Sequence, residues 1–188
     1  LAWFVGHERG LLWARIAQAL LSAWVAPATC LLARAFMSRA AVQPGPDVNG
    51  GPRSGAVPFI AGALAAMDPF LVFFSGLLLT EALYAAVLVT AWAPIVHLTD
   101  RSRPARATQV LAAGLLLCTA VMLRPAAIVL VLAAAAALPT GRRFDRSGWG
   151  AGAGVALLVV LGLIPWAARN RAVLGEWRWL TTRGGITL

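Results

Sequence analysis

The sequence predicts an all-α protein, a polytopic bundle of about six transmembrane helices. Three observations lead there. Charged residues make up 12% of the 188-residue chain and hydrophobic residues 60%, with a mean hydropathy of +0.78, whereas a soluble domain carries about a quarter charged residues. Apolar runs of roughly 15 to 25 residues recur along the chain, the length a bilayer core demands. The net charge of +9 comes from 16 arginines and no lysine, set in short clusters between the apolar runs. A nucleic-acid surface would instead gather them on one polar face with aromatics between. Nucleic acid is therefore excluded as a partner, and the bilayer is expected.

The predicted spans are 11–33, 56–75, 77–98, 108–123, 125–140 and 149–166. The first is followed by "RAFMSRAAVQPGPDVNGGPRSG" (34–55), where Pro, Gly and Asn mark a loop. The second runs into "DPF", where Pro69 either ends the helix at Asp68 or kinks it, since proline disfavours helix in the residue before it. The third is apolar apart from Glu81, with Tyr84 one turn later. "TDRSRPARAT" (99–108) separates it from two spans of about sixteen residues, or roughly 24 Å against a core near 30 Å. Arg124 divides that pair, and Pro125 suits the first turn of a helix because it has no amide proton to lose. Joining the pair into one helix would set two arginine clusters on opposite sides, so a hairpin of short spans is predicted. The last span follows "GRRFDRSG" (141–148) and closes at Pro165–Trp166. Trp3, Trp13, Trp92, Trp149 and Trp166 fall near predicted ends, as interfacial belts do.

Arginine placement orients the bundle. Arg34, Arg39 and Arg53, then Arg101, Arg103 and Arg106, then Arg142, Arg143 and Arg146 mark three loops, which the positive-inside rule assigns to the cytoplasm. Residues 1–10, the turn at 75–77, Arg124 and the tail then face outside. The organisation expected is one transmembrane domain over 1–188 in a cell membrane, with 167–188 starting an extracytoplasmic loop. Arg169, Arg171, Arg178 and Arg183 lie in that tail against the usual bias, which points to a use for them. A start at Leu1 and an end at "TTRGGITL" predict a piece of a longer protein.

Few residues invite chemistry. Within the second and third spans only Asp68 and Glu81 are charged, and an ionisable group at mid-span costs about 2.5–3.5 kcal/mol on insertion scales. Glu81 is either a structural carboxylate bonded to a neighbouring helix or an acid facing an outer site. Arg124 is either an interfacial arginine or a two-pronged ligand for phosphate or carboxylate. Topology places both at one surface, which suits a lipid-phosphate substrate. Cys30 and Cys118 are far apart in apolar runs and read as small core residues. His7 and His97 fall on opposite sides and cannot share a metal. "GWGAGA" (148–153) fits a dinucleotide pattern in form only; close helix packing through Gly150 and Gly154 is the better reading.

Four stretches occur in order: a span ending "LLARAF", then "DPFLVFFSGLLLTEALY", "LRPAAIVLVLAAAAALP" and "LIPWAARNRAVLGEWRWLTTRGGITL". The series resembles the polyprenyl-phosphate-sugar-dependent membrane glycosyltransferases of the C-type fold, specifically the protein mannosyltransferase-like family 39, over nearly the whole chain. The resemblance implies an enzyme that moves one sugar from a lipid phosphate carrier to a lipid, glycan or protein acceptor on the outer face. It implies that Glu81 lines the active site in a supporting role and that Arg124 sits by the carrier phosphate. Arg169 and Asn170 match a "PW-x-x-RN" pair that positions donor or loop, and Asp68 and Tyr84 are candidate substrate contacts. The cofactor is left open, a divalent metal ion being one option. The family's base is expected to be an Asp in the first extracytoplasmic loop, for which residues 1–10 offer no motif, so this stretch alone is expected to be inactive. Two alternatives stand beside this reading: a transporter, or a non-catalytic membrane subunit.

Overall fold

The computed structural model describes residues 7–40, 56–75, 80–100, 104–141 and 145–180; Arg53, Arg101, Arg103, Arg142, Arg143, Arg183 and most of the turn expected at 75–77 lie outside them. The described residues form helices and no strand: α1 (His7–Ala40), α2 (Ala56–Ala66), α3 (Pro69–Ser75), α4 (Thr80–Leu98), α5 (Ala107–Leu123), a 3₁₀ turn (Pro125–Ala127), α6 (Ile128–Gly141) and α7 (Arg146–Leu174). Three of them, over Gly10–Met37, Thr80–Leu98 and Arg146–Leu174, are long and apolar enough to cross a membrane. Large side chains such as Leu12, Leu20, Leu31, Leu132 and Leu157 stand more than half exposed. A surface this apolar belongs in lipid, and the chain is a multi-pass membrane protein.

Several boundaries differ from the sequence expectation. The predicted loop at 34–55 starts late, because α1 continues through the helix-forming "RAFMSRA" to Ala40. The predicted close at Pro165–Trp166 is overrun by two turns: α7 carries Pro165 inside it and ends at Leu174. Prolines are tolerated within membrane helices because neighbouring groups re-satisfy the freed carbonyl, and Pro27, Pro94 and Pro139 sit inside helices too. The second predicted span is two helices. Met67 ends α2 with its N–H on the Ala63 carbonyl, and the Asp68 carboxylate accepts the N–H of Phe70 at 2.9 Å. Asp68 is thus the N-cap of α3, with Pro69 at the first helical position. Such a cap is worth about 1 kcal/mol.

The chain groups into two compact units, Leu1–Ala93 and Pro94–Leu188. In the first, α2 lies against α1 so closely that a β-carbon on Gly62 would stand 3.0 Å from Cys30 Cβ and 3.1 Å from the Ala26 carbonyl. Trp24 Nε1 donates to Thr90 Oγ1 at 3.0 Å and ties α1 to α4. The hydroxyls of Thr29 and Thr90 donate back to the carbonyls of Val25 and Ala86, which satisfies them inside an apolar helix.

In the second unit α5 and α7 run parallel in a fixed register. Gly154 receives Val110, Gly114 receives Leu158 and Gly162 receives Cys118, each at 2.5–3.0 Å from where a β-carbon would be. All three pairs are 44 residues apart in sequence and repeat every four residues, so a glycine hole alternates between the two helices along one ridge. α6 starts where α5 ends and finishes five residues before α7 starts, so it runs back antiparallel to both. It meets α7 where Gly152 faces the Ala135 carbonyl. Gly150, expected to make close packing, has nothing within 4 Å of its would-be β-carbon. Gly152 takes that role, because Gly150 points off the contact face.

The two short spans of the expectation remain short, below the length of the three helices that can cross a membrane. α5 measures about 26 Å, and the 3₁₀ turn plus α6 about 27 Å. On α7, Trp149 and Trp166 are 17 residues apart, also about 26 Å. α5 and α6 therefore cover the stretch of α7 bounded by its two tryptophans.

Candidate functional site

Asp68, Glu81 and Tyr84 belong to the first unit, and Arg124, Arg169 and Asn170 to the second. Glu81 is the second residue of α4 and the acidic residue of its first turn. A carboxylate there meets unpaired N–H groups and the positive end of the helix dipole, a gain of about 0.3–1 kcal/mol. Glu81 is half-buried and its Oε2 is shielded from solvent. Tyr84, one turn further and half-buried as well, lies on the same helix face. Asp68 is engaged by the N–H of Phe70.

α1, α2 and α3 line an open groove of about 320 Å³ that includes Ala19, Ser22, Ala23, Ala65 and Leu71. Its walls are alkyl apart from the Ser22 hydroxyl, whose buried oxygen has no hydrogen-bond partner among the described residues. Such a space accepts hydrocarbon rather than phosphate or sugar.

Arg124 is the residue at which the helical pattern stops. Its backbone is extended (φ −142°, ψ 113°), its N–H caps α5 on the Ala120 carbonyl at 2.8 Å, and its carbonyl accepts the N–H of Ala127 at 2.9 Å. This one-residue connection exposes the side chain at the end of the hairpin. The 44-residue offset between α5 and α7 puts Arg124 level with Ala168. Arg124, Arg169 and Trp166 thus share one end of the unit. The Arg169 guanidinium lies over the Trp166 ring at 5.7 Å, a contact worth about 0.5–1 kcal/mol where exposed. Asn170 is 2% exposed and its Nδ2 donates to the Arg178 carbonyl at 2.9 Å. Its amide therefore holds the following loop.

The structure brings Arg124 and the Arg169–Asn170 pair to a common end. Guanidinium groups are the side chains that engage phosphate or carboxylate in two-pronged fashion. Among the described residues, no three His, Cys, Asp or Glu side chains cluster closely enough to bind a metal ion. The stacking of Arg169 on Trp166 was open to sequence reasoning, since a spacing of three residues sets both on one helix face. The contact of Arg171 with Trp177, at 5.7 Å, was not, because it depends on how the chain turns at Gly175. Compared with known protein families, with curated proteins and with solved structures, the chain matches none.

Proposed function

We propose that the intact protein is an integral-membrane glycosyltransferase that moves a sugar from a polyprenyl-phosphate carrier to an acceptor on the outer face of a cell membrane. The observation that carries this reading is the common level of Arg124 and Arg169 at the Trp166 belt, the depth at which a lipid phosphate lies. In this reading α5 and α6 cross the bilayer beside α7, and α2 and α3 cross together as one span broken at Asp68. Six crossings then keep the three arginine-rich connecting loops on one side and leave the tail after α7 on the other.

The acceptor hydroxyl oxygen bonds to the anomeric carbon as the bond from that carbon to the phosphate oxygen breaks. The hydroxyl proton passes to a carboxylate, and the carrier leaves as polyprenyl phosphate. Negative charge grows on that phosphate, so Arg124 lowers the barrier by meeting it, and Arg169 helps hold the donor. Glu81, assigned to the same compartment by the arginine distribution, orients the acceptor, with Tyr84 on the same face. Asp68 and Asn170 contribute by holding α3 and the loop after α7 in place.

Glu81→Gln keeps the shape and loses the charge. In membranes containing the intact protein it is expected to reduce transfer from a radiolabelled lipid-linked sugar by roughly 10²-fold, the usual cost of misplacing a reactant, with protein level unchanged. Wild-type transfer by that variant would leave Glu81 a structural carboxylate.

A further inference from the structure

Beyond Leu174 the chain forms a small hook. Gly175 adopts the left-handed conformation (φ 77°, ψ −7°) and gives its N–H to the Arg171 carbonyl at 3.0 Å, the turn that glycine permits at a helix end. Arg171 Nη1 donates to the Gly175 carbonyl at 3.3 Å, and its guanidinium lies 5.7 Å from the centre of the Trp177 ring. Trp177 and Trp179 stack with centroids 6.2 Å apart and planes at 20°. Arg178 donates to Glu176 Oε2 from Nε and Nη2, at 3.0 and 2.9 Å. Asn170 clamps the whole by its bond to the Arg178 carbonyl.

The clamp fixes the depth of the hook. Asn170 is four residues past Trp166, about 6 Å along α7, and it draws Arg178 back to its own level. Headgroups add about 5–8 Å on each side of the hydrocarbon core. With Trp166 at the edge of the hydrocarbon core, as interfacial tryptophans sit, this places the hook in the headgroup layer. Its two indoles are 55% and 44% exposed, and indole rings favour that layer. Within Arg171–Trp179, Arg171 and Arg178 against Glu176 leave one net positive charge, and Arg169 just before it adds another, so the complementary headgroup is anionic.

We propose that the hook Arg171–Trp179 is a docking surface for anionic phospholipid headgroups, the phosphodiester class typified by phosphatidylglycerol. The two indoles sit among the glycerol backbones, and the arginines pair with the phosphates. This holds whether or not the protein transfers sugar.

The test reconstitutes the full chain in phosphatidylcholine nanodiscs carrying a minority of acyl-brominated phosphatidylglycerol or of brominated phosphatidylcholine. Quenching of Trp177 and Trp179 is isolated by subtracting a Trp177→Phe/Trp179→Phe variant. Brominated phosphatidylglycerol is expected to quench these two residues several-fold more than brominated phosphatidylcholine. The advantage should shrink in Arg171→Gln/Arg178→Gln and at high salt, where the attraction is screened. Equal quenching by the two lipids would overturn the proposal, as would no quenching by either. Loss of the advantage on adding inorganic phosphate at constant ionic strength would assign the site to a free anion and also overturn it.

Discussion

Replacing Arg124 with alanine in the intact protein is expected to lower sugar transfer by about 10²- to 10³-fold, or roughly 3–4 kcal/mol, the loss typical when one preorganised donor to a developing oxyanion is removed. The side chain is exposed at the end of the α5–α6 hairpin, so its loss opens no cavity in the core. The backbone bonds to Ala120 and Ala127 that shape the turn do not involve the guanidinium. Membrane level and melting temperature should therefore stay near wild type while turnover falls. Arg124→Lys should recover only part of the rate, because an ammonium keeps the charge and loses the planar fork that engages two phosphate oxygens. Initial rates at saturating donor, with protein quantified in the same membranes, check both. Full activity in Arg124→Ala would reduce the residue to an interfacial arginine.

The second large effect is on stability. A β-carbon at position 152 would stand 2.7 Å from the backbone oxygen of Ala135, a partner that cannot rotate away. Gly152→Val adds two further methyl groups to that contact and should force α6 and α7 apart. Overpacking of this kind costs about 1–3 kcal/mol and can cost more where backbone meets side chain. The control lies two residues away. Gly150 has open space around its would-be β-carbon, so Gly150→Ala should be neutral or stabilising by up to about 1 kcal/mol through helix propensity. Thermal unfolding of both variants in detergent should show a clear fall in melting temperature for the first and none for the second. Equal behaviour would contradict the register between α6 and α7.

Much of this was legible in the sequence, for reasons that can be named. The apolar runs, arginine clusters and Arg124–Pro125 break are local signals, and the helices and hairpin follow them. Three features were not legible. Whether Pro69 ends or kinks a helix depends on whether a cap is available, which the Asp68–Phe70 bond supplies. The passage of α7 through Pro165 depends on surroundings that tolerate the missing N–H, which no pattern around the proline encodes. Which glycine of "GWGAGA" meets a neighbour depends on the rotation of α7 about its own axis, and only the packing of α6 fixes that. For the site, residue types and order picked out Arg124, Arg169 and Asn170. Their common level came from the 44-residue register between α5 and α7, and the use of Asn170 as a clamp came from the turn at Gly175.

The central proposal is that Glu81 and Arg124 face one compartment, the outside of the membrane. Its most direct test is labelling with a membrane-impermeant maleimide in sealed right-side-out vesicles. The intact protein, with Cys30 and Cys118 changed to alanine, would carry either Glu81→Cys or Arg124→Cys. The proposal predicts that both variants label from outside and that added polyprenyl phosphate slows the reaction at position 124. Labelling of one of the two only after the vesicles are opened would contradict it.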